Sequence, residues 1–233
     1  MKYEQLREEV LKANLELFRR GLVLYTFGNA SGIDRAEGVV AIKPSGVPFE
    51  ELRPEDIVVT DLNGNVVEGT LRPSSDLPTH LELYKAFPGI GGIVHTHSTY
   101  ATAWAQAGRE IPCLGTTHAD YFYGPVPITP PLTAEEVRHD YERNTGLVIV
   151  RRFAAIDPMA VPGVLVHSHG PFAWGKSASE AAFHAVILEE LAKLAYLTLT
   201  LNPASRPLPE AQLEKHYLRK HGPGAYYGQK PAG

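Results

Sequence analysis

Two short apolar runs in this 233-residue chain end in the same way, Gly92-Ile93-Val94-His95-Thr96-His97 and Gly163-Val164-Leu165-Val166-His167-Ser168-His169. Runs of this length rich in Val and Ile read as buried strands. In an extended strand, residues i and i+2 project from one face, so each segment presents two imidazoles side by side. A lone histidine is more often a satisfied polar residue than a ligand. Two H-x-H pairs, each after an apolar strand, reverse that expectation. Imidazole suits zinc and its first-row neighbours, and a catalytic zinc commonly keeps three protein ligands and an open position. Two histidines of the first pair and one of the second complete such a set. The spacing does not decide whether His167 or His169 is the third.

The fold that must bring these segments together is legible in outline. Leu6, Val10, Ala13 and Leu17 recur at helical spacing, and Gly21 follows as a stop signal. Val39-Val40-Ala41-Ile42 and Ile57-Val58-Val59-Thr60 read as strands, and Asn63-Gly64 as a tight turn into Val66-Val67. Helices are expected from Asp76 to Phe87, through Ala101 to Ala107, and from Gln212 to Lys220. Thr133…Glu136 and Ser177…Glu180 fit capping boxes that open two more. Leu147-Val148-Ile149-Val150 reads as a further strand, whereas residues 151–162 carry no usable motif. Strands and helices interleave irregularly, with at least one hairpin. This predicts one α/β domain with a mixed or antiparallel sheet under helices, not a doubly wound parallel sheet. G-x-G-x-x-G does not occur, so no dinucleotide fold is supported.

Composition narrows the partners. Lys and Arg number 22 against 26 Asp and Glu, a net charge of −4, without the basic footprint of a nucleic-acid binder. The single cysteine, Cys113, excludes an intrachain disulfide and a cysteine-based zinc module. The N-terminal residues carry charges of both signs and no apolar core of a signal peptide. The apolar stretch Ala181 to Leu201 contains Glu189, Glu190 and Lys193, which suits a buried helix and not a membrane span. The expected compartment is the cytoplasm.

Three polar loops could hold an anion: Gly28-Asn29-Ala30-Ser31-Gly32, Lys43-Pro44-Ser45-Gly46 and Pro73-Ser74-Ser75-Asp76. They offer backbone N–H groups, hydroxyls and one cation, and the last precedes a helix start. Each alone is a turn more often than a ligand site. Asp76 is either a carboxylate near the metal or a helix N-cap, and propensity prefers the cap. His118, His216 and His221 read as structural or surface residues.

Together with Gly115-Thr116-Thr117-His118-Ala119-Asp120-Tyr121 and Ala225-Tyr226-Tyr227-Gly228-Gln229, these motifs resemble the class II aldolase/epimerase superfamily. The resemblance runs from the first helix to Gln229. Residues 166–176 and 215–222 match its epimerase branch in particular. It implies one domain over 1–229, a three-layer α/β/α sandwich with a largely antiparallel central sheet, and a tail at 230–233 expected to be disordered. It further implies Zn2+ or another divalent first-row ion on His95, His97 and His169, with Asp76 near the metal. Gly28, Asn29, Ser45, Gly46, Ser74 and Ser75 would hold a small phosphorylated ketopentose, with Lys43 close by. Asp120 and Tyr227 would be the acid/base pair. The family assembles as a four-fold homotetramer with sites at subunit interfaces, so Tyr227 would reach a neighbour's metal; neither nucleic acid nor membrane is implied.

The implied activity is epimerisation at C4 by breaking and remaking the C3–C4 bond. An ordinary Asp carboxyl, near pKa ~3.9, is poorly matched to proton transfer at neutral pH, so the site is expected to shift Asp120. Two other readings compete. A sister sugar-phosphate aldolase would release both fragments, but such aldolases tend to carry Glu where this chain has Asp76. A non-catalytic adducin-like module would not need all three histidines.

Overall fold

Seven short strands, the inner ones buried on both faces, dictate the architecture. In the computed structural model, which describes residues 2–227, the order is α1 (Glu4–Arg19), β1 (Asn29–Asp34), β2 (Val39–Ile42), β3 (Val58–Asp61), β4 (Val66–Glu68), α2 (Leu77–Ala86), β5 (Gly92–His95), α3 (Thr99–Gln106), α4 (Thr116–Ala119), α5 (Ala134–Arg138), α6 (Tyr141–Arg152), β6 (Gly163–Val166), β7 (Gly170–Gly175), α7 (Ala178–Leu201) and α8 (Glu210–His221). The strands form one sheet, β4-β3-β2-β1-β5-β7-β6, with every neighbouring pair antiparallel. The tail at 230–233 lies outside the described residues.

Alternate residues of each inner strand feed two different cores. Val40, Ile42, Ile93, Phe172 and Trp174 face one side, where α2, α3 and α6 cover them. Val39, Ala41, Val94 and Ala173 face the other, against Val10, Ala13 and Leu17 of α1. The long helix α7 serves both: Ala178, Ala181, Ala182 and Ala185 join the second core, and Leu188, Leu191, Ala192 and Ala195 the first. The result is the expected three-layer α/β/α sandwich. Covering both faces explains why several strands read as continuous apolar runs although the sheet is antiparallel. Phe172 and Trp174 are fully buried, each contributing about 1.5–3 kcal/mol of apolar burial.

Most expected elements form. Asp61 accepts hydrogen bonds from the N–H groups of Asn63 and Asn65, closing the turn at Asn63-Gly64 between β3 and β4. The capping box Thr133…Glu136 opens α5, and Ser177 accepts from the Glu180 N–H at the start of α7. The charges within α7 have a use: Glu189 accepts from the N–H groups of Tyr100 and Ala101, so a carboxylate caps the N-terminus of α3. Among the described residues, no helix is long and apolar enough to cross a membrane.

Two strands lack a signal in the sequence reading: β1 takes up most of the polar segment 28–32, and β7 follows directly on His169. One expected strand is a helix. Leu147 to Val150 is not a strand but the middle of α6. A four-residue apolar run does not distinguish a strand from a buried helical turn. The wider stripe decides: Thr145, Gly146, Val148 and Ile149 are the buried positions, a helical spacing. Gly146 lets α6 press against α2, since a Cβ there would lie 2.8 Å from the Glu82 Cβ and 3.0 Å from the Thr79 carbonyl oxygen.

Candidate metal centre and its cleft

β5 ends at His95, between β1 and β7. The His95 imidazole lies flat on Phe172, its cross-strand partner, with centroids 4.2 Å apart and planes 17° apart. Its Nδ1–H donates to the Pro171 carbonyl at 2.9 Å, which leaves the lone pair on Nε2. His97 lies beyond the strand end, yet its Nε2 comes within 3.0 Å of the His95 Nε2. Loss of strand geometry after His95 therefore does not part the two rings.

The second pair does part. The hairpin between β6 and β7 turns through Ser168 at φ 59, a left-handed conformation that sends the flanking side chains different ways. His167 bonds Ser168 Oγ through Nδ1, while its Nε2 edge lies against Gly108. His169 meets the first pair, its ring 4.7 Å from His95 and 5.1 Å from His97. One nitrogen from each of His95, His97 and His169 lies within 4.8 Å of the others.

These donors fit a metal. Tetrahedral coordination at about 2.0–2.1 Å places ligand nitrogens about 3.3 Å apart, close to the His95–His97 spacing. Burial, followed by the neighbouring His95 and His97, pushes the His169 imidazole down to about 3, so it is neutral and its lone pair is available. Burial likewise lowers His97.

Asp76 precedes α2 but makes no side-chain capping bond. Its Oδ2 instead accepts from Asn29 Nδ2 at 2.6 Å. Burial alone would raise this carboxyl, but His95, His80 and the Asn29 bond hold it below the usual range. The N-cap preference thus loses to a partner from β1.

The three polar segments, the first of which opens β1 and is not a loop, are stitched side by side. The Ser74 N–H donates to the Lys43 carbonyl, the Ser45 N–H to the Arg72 carbonyl, and Asn29 Nδ2 to Ser74 Oγ at 3.1 Å. Gly28, at φ +91, passes so close to Val23 and the His95 carbonyl that a Cβ would not fit. A cleft of about 420 Å³ results, in which residues of all three segments share walls with Asp76 and the three histidines. Ser45, Gly46 and Ser75 are exposed to it. Lys43 also lines it, but its buried ammonium donates to the Val47 carbonyl at 2.7 Å and sits 4.6 Å over the Phe49 ring. Burial lowers that ammonium to about 8.

Asp120 and Tyr227 do not line this cleft; both lie against Arg219 and Lys220 of α8. Asp120 accepts from Arg219 at 3.0 and 2.6 Å, faces His216 Nδ1 at 3.0 Å, and lies 3.7 Å from Lys220. The Tyr227 ring stacks under Arg219 and Lys220 and is 61% exposed. Burial alone would raise the Asp120 carboxyl, but the Arg219 and His216 bonds pull it down. The shift is away from neutrality, opposite to what a lone general base needs. His216 and His221 both bind Asp120, at its carboxylate and its carbonyl, and so are more than surface residues. His118 is structural, buried and donating to the Gly124 carbonyl.

Four further residues line the cleft without a motif to announce them: Thr26, Phe27, Tyr141 and Glu142. The last two open α6. The signal for them is the helical stripe Thr145, Gly146, Val148 and Ile149, which places a helix start beside them.

Over residues 8–196 the chain matches the family described as Class II Aldolase and Adducin N-terminal domain. It is 55% identical over 227 residues to L-ribulose-5-phosphate 4-epimerase UlaF of Salmonella paratyphi C (strain RKS4594), covering 97% of this chain and all of that one. The protein of the same name from Salmonella typhi is 54% identical over the same span and shares. Among solved structures, an L-fuculose 1-phosphate aldolase superposes with a TM-score of 0.79 at 28% identity, covering 93% of this chain and 96% of the other. YgbL, a putative aldolase/epimerase/decarboxylase from Klebsiella pneumoniae, superposes at 0.74 with 28% identity, over 92% and 99%.

Proposed function

The chain belongs to the Class II Aldolase and Adducin N-terminal domain family, and from that premise we infer that it is a metal-dependent isomerase, interconverting L-ribulose 5-phosphate and D-xylulose 5-phosphate. The observation that carries this reading is the convergence of His95, His97 and His169 beside a cleft of serine and glycine loops. The likeness to the 4-epimerases selects the substrate.

The C4 hydrogen of a 2-ketopentose is not adjacent to the carbonyl, so its removal gives no enolate. Parting C3 from C4 does, and rejoining on the other face of the aldehyde inverts C4. Zinc or a first-row neighbour on the three histidines supplies Lewis-acid stabilisation for the electron pair set free. The protein's own groups do the rest. Phe172 and the Pro171 carbonyl fix the His95 imidazole, and Asn29 holds Asp76 beside the triad. Gly28, Asn29, Ser45, Gly46, Ser74 and Ser75 retain the phosphate, so the aldehyde fragment turns without leaving, which separates an epimerase from an aldolase. Lys43 adds a positive field from behind the loop.

We assign proton exchange at the C4 hydroxyl to Asp120 and Tyr227 of a neighbouring copy in a four-fold homotetramer. Their remoteness from the cleft of their own chain, and the exposure of Tyr227, support this. Asp120 acts together with His216, since a carboxylate held this low orients an imidazole better than it takes up protons itself. The phosphorylated substrate makes the cytoplasm the working compartment.

The test is incubation of zinc-loaded protein with L-ribulose 5-phosphate. D-Xylulose 5-phosphate should accumulate. Stoichiometric glycolaldehyde phosphate would make it an aldolase, and no turnover would refute the enzyme reading. His97→Asn should lose bound metal; undiminished metal content would refute the ligand set.

A further inference from the structure

We propose that Tyr141, which no motif of the family marks in this chain, is the positioning residue of the metal centre: its hydroxyl holds His169 through Nδ1 and so aims Nε2 at the ion. The proposal rests on the reading that the three histidines bind a divalent metal. A histidine ligand is normally oriented by a second hydrogen bond at its other nitrogen, which fixes tautomer and ring angle. His95 has that bond in the Pro171 carbonyl. For His169 the group in this place is Tyr141, with Oη 3.4 Å from Nδ1 and the rings 6.1 Å apart. His97, the exposed member, has no such partner among the described residues.

The backbone on both sides of this contact is specialised. Among the described residues three non-glycine positions have positive φ: Tyr25, Asp140 and Ser168. Two of them immediately precede Tyr141 and His169. Left-handed Asp140 turns the chain into α6 and Ser168 turns the β6–β7 hairpin, so both side chains are aimed by unusual backbone. The Tyr141 segment is also clamped. Thr79 Oγ1 donates to the Glu142 carbonyl, Thr145 Oγ1 to the Tyr141 carbonyl, and Gly146 admits α2 at close range. Since α2 begins just after Asp76, the clamp ties His169's support to the same helix that borders the metal. With Nε2 given to the ion, Nδ1–H donates and the phenol oxygen accepts.

The test is a double-mutant cycle read by zinc competition against a chromophoric chelator, with the cobalt-substituted absorption spectrum alongside. Tyr141→Phe should weaken zinc about 10–100-fold in the native background and shift the cobalt bands. In a His169→Ala background it should leave the residual, weaker affinity unchanged. An equal loss in both backgrounds means that Tyr141 acts by general loosening, and no loss in either means that it does not hold His169; both overturn the proposal. Failure of the native protein to bind zinc would instead refute the metal reading itself, and this inference with it.

Discussion

Gly170 is not a ligand, yet replacing it with alanine should damage the metal centre more than the fold. It opens β7 directly after His169, and an added Cβ would lie 2.8 Å from the Thr96 carbonyl oxygen, 3.5 Å from His95 Cε1 and 3.6 Å from Thr102 Oγ1. The nearest atom is backbone, so no rotamer change relieves it. Reaching 3.4 Å, where ordinary contact begins, needs a shift of about 0.6 Å between the strands that carry His95 and His169. Metal–ligand distances tolerate only about 0.2 Å. Overpacking of this kind costs about 1–3 kcal/mol of stability, which for a chain of this length lowers the melting temperature by roughly 2–4 °C per kcal/mol. Zinc affinity should fall by about tenfold or more, on the scale of other outer-contact losses. Thermal melting of metal-free protein and a zinc competition titration measure the two effects separately. A Gly170→Ala protein with native melting temperature and native zinc affinity would refute the argument that this close approach sets the triad's geometry.

Three further outcomes follow from particular contacts. Burial holds the His118 imidazole down at about 4 from a reference of 6.5, so below pH 6.5 the unfolded chain takes up a proton that the folded chain refuses; this stability is full above about 6.5, declines as pH falls, and amounts to at most about 3 kcal/mol. Denaturant titrations at pH 7.5 and 5 should show a shallower pH dependence for His118→Gln than for the native chain, and equal slopes would refute it. Asn29→Ala removes the donor to both Asp76 and Ser74 and, at about 1.5–3 kcal/mol for a bond to a charged group, should lower kcat/KM for the sugar phosphate at least about tenfold; an unchanged value would show that Asp76 needs no such support. If Tyr227 serves a neighbour, inactive His97→Asn and Tyr227→Phe proteins, dissociated and reassembled in equal amounts, should regain roughly a quarter of the sites, whereas sites built within one copy would regain none.

Most of the sheet was legible because its signal is local, a short apolar run. β2, β3 and β5 carry or adjoin such apolar runs, whereas β1, Asn29-Ala30-Ser31-Gly32-Ile33-Asp34, reads as a polar loop and becomes a strand only by pairing with β2 and β5. α6 was not legible, because its apolar centre is no longer than a strand and its decisive feature, contact of Gly146 with α2, is tertiary. Helix α7 was legible as a helix packed on the core in spite of its charges, although Phe183, Leu194, Tyr196, Leu197 and Leu201 lie exposed, so it is not buried all round; what Glu189 does depended on where α3 starts, which no spacing states.

The metal centre divides in the same way. His95 and His97 could be paired from sequence, since two residues apart they stay neighbours even where the strand frays. The choice of His169 over His167 could not, because it turns on one backbone angle at Ser168, a residue with no intrinsic preference for that angle. Resemblance supplied what spacing withheld, and geometry then gave the reason. Asp76 reverses the lesson: local propensity preferred a helix cap, and Asn29, from a strand remote in sequence, took its carboxylate instead. Groups that serve chemistry are those whose local preference is overridden by a distant partner. By that criterion Asp120, held by α8 against its own titration range, and Tyr141, held by left-handed Asp140 and clamped to α2, are the residues to examine next to the ligands themselves.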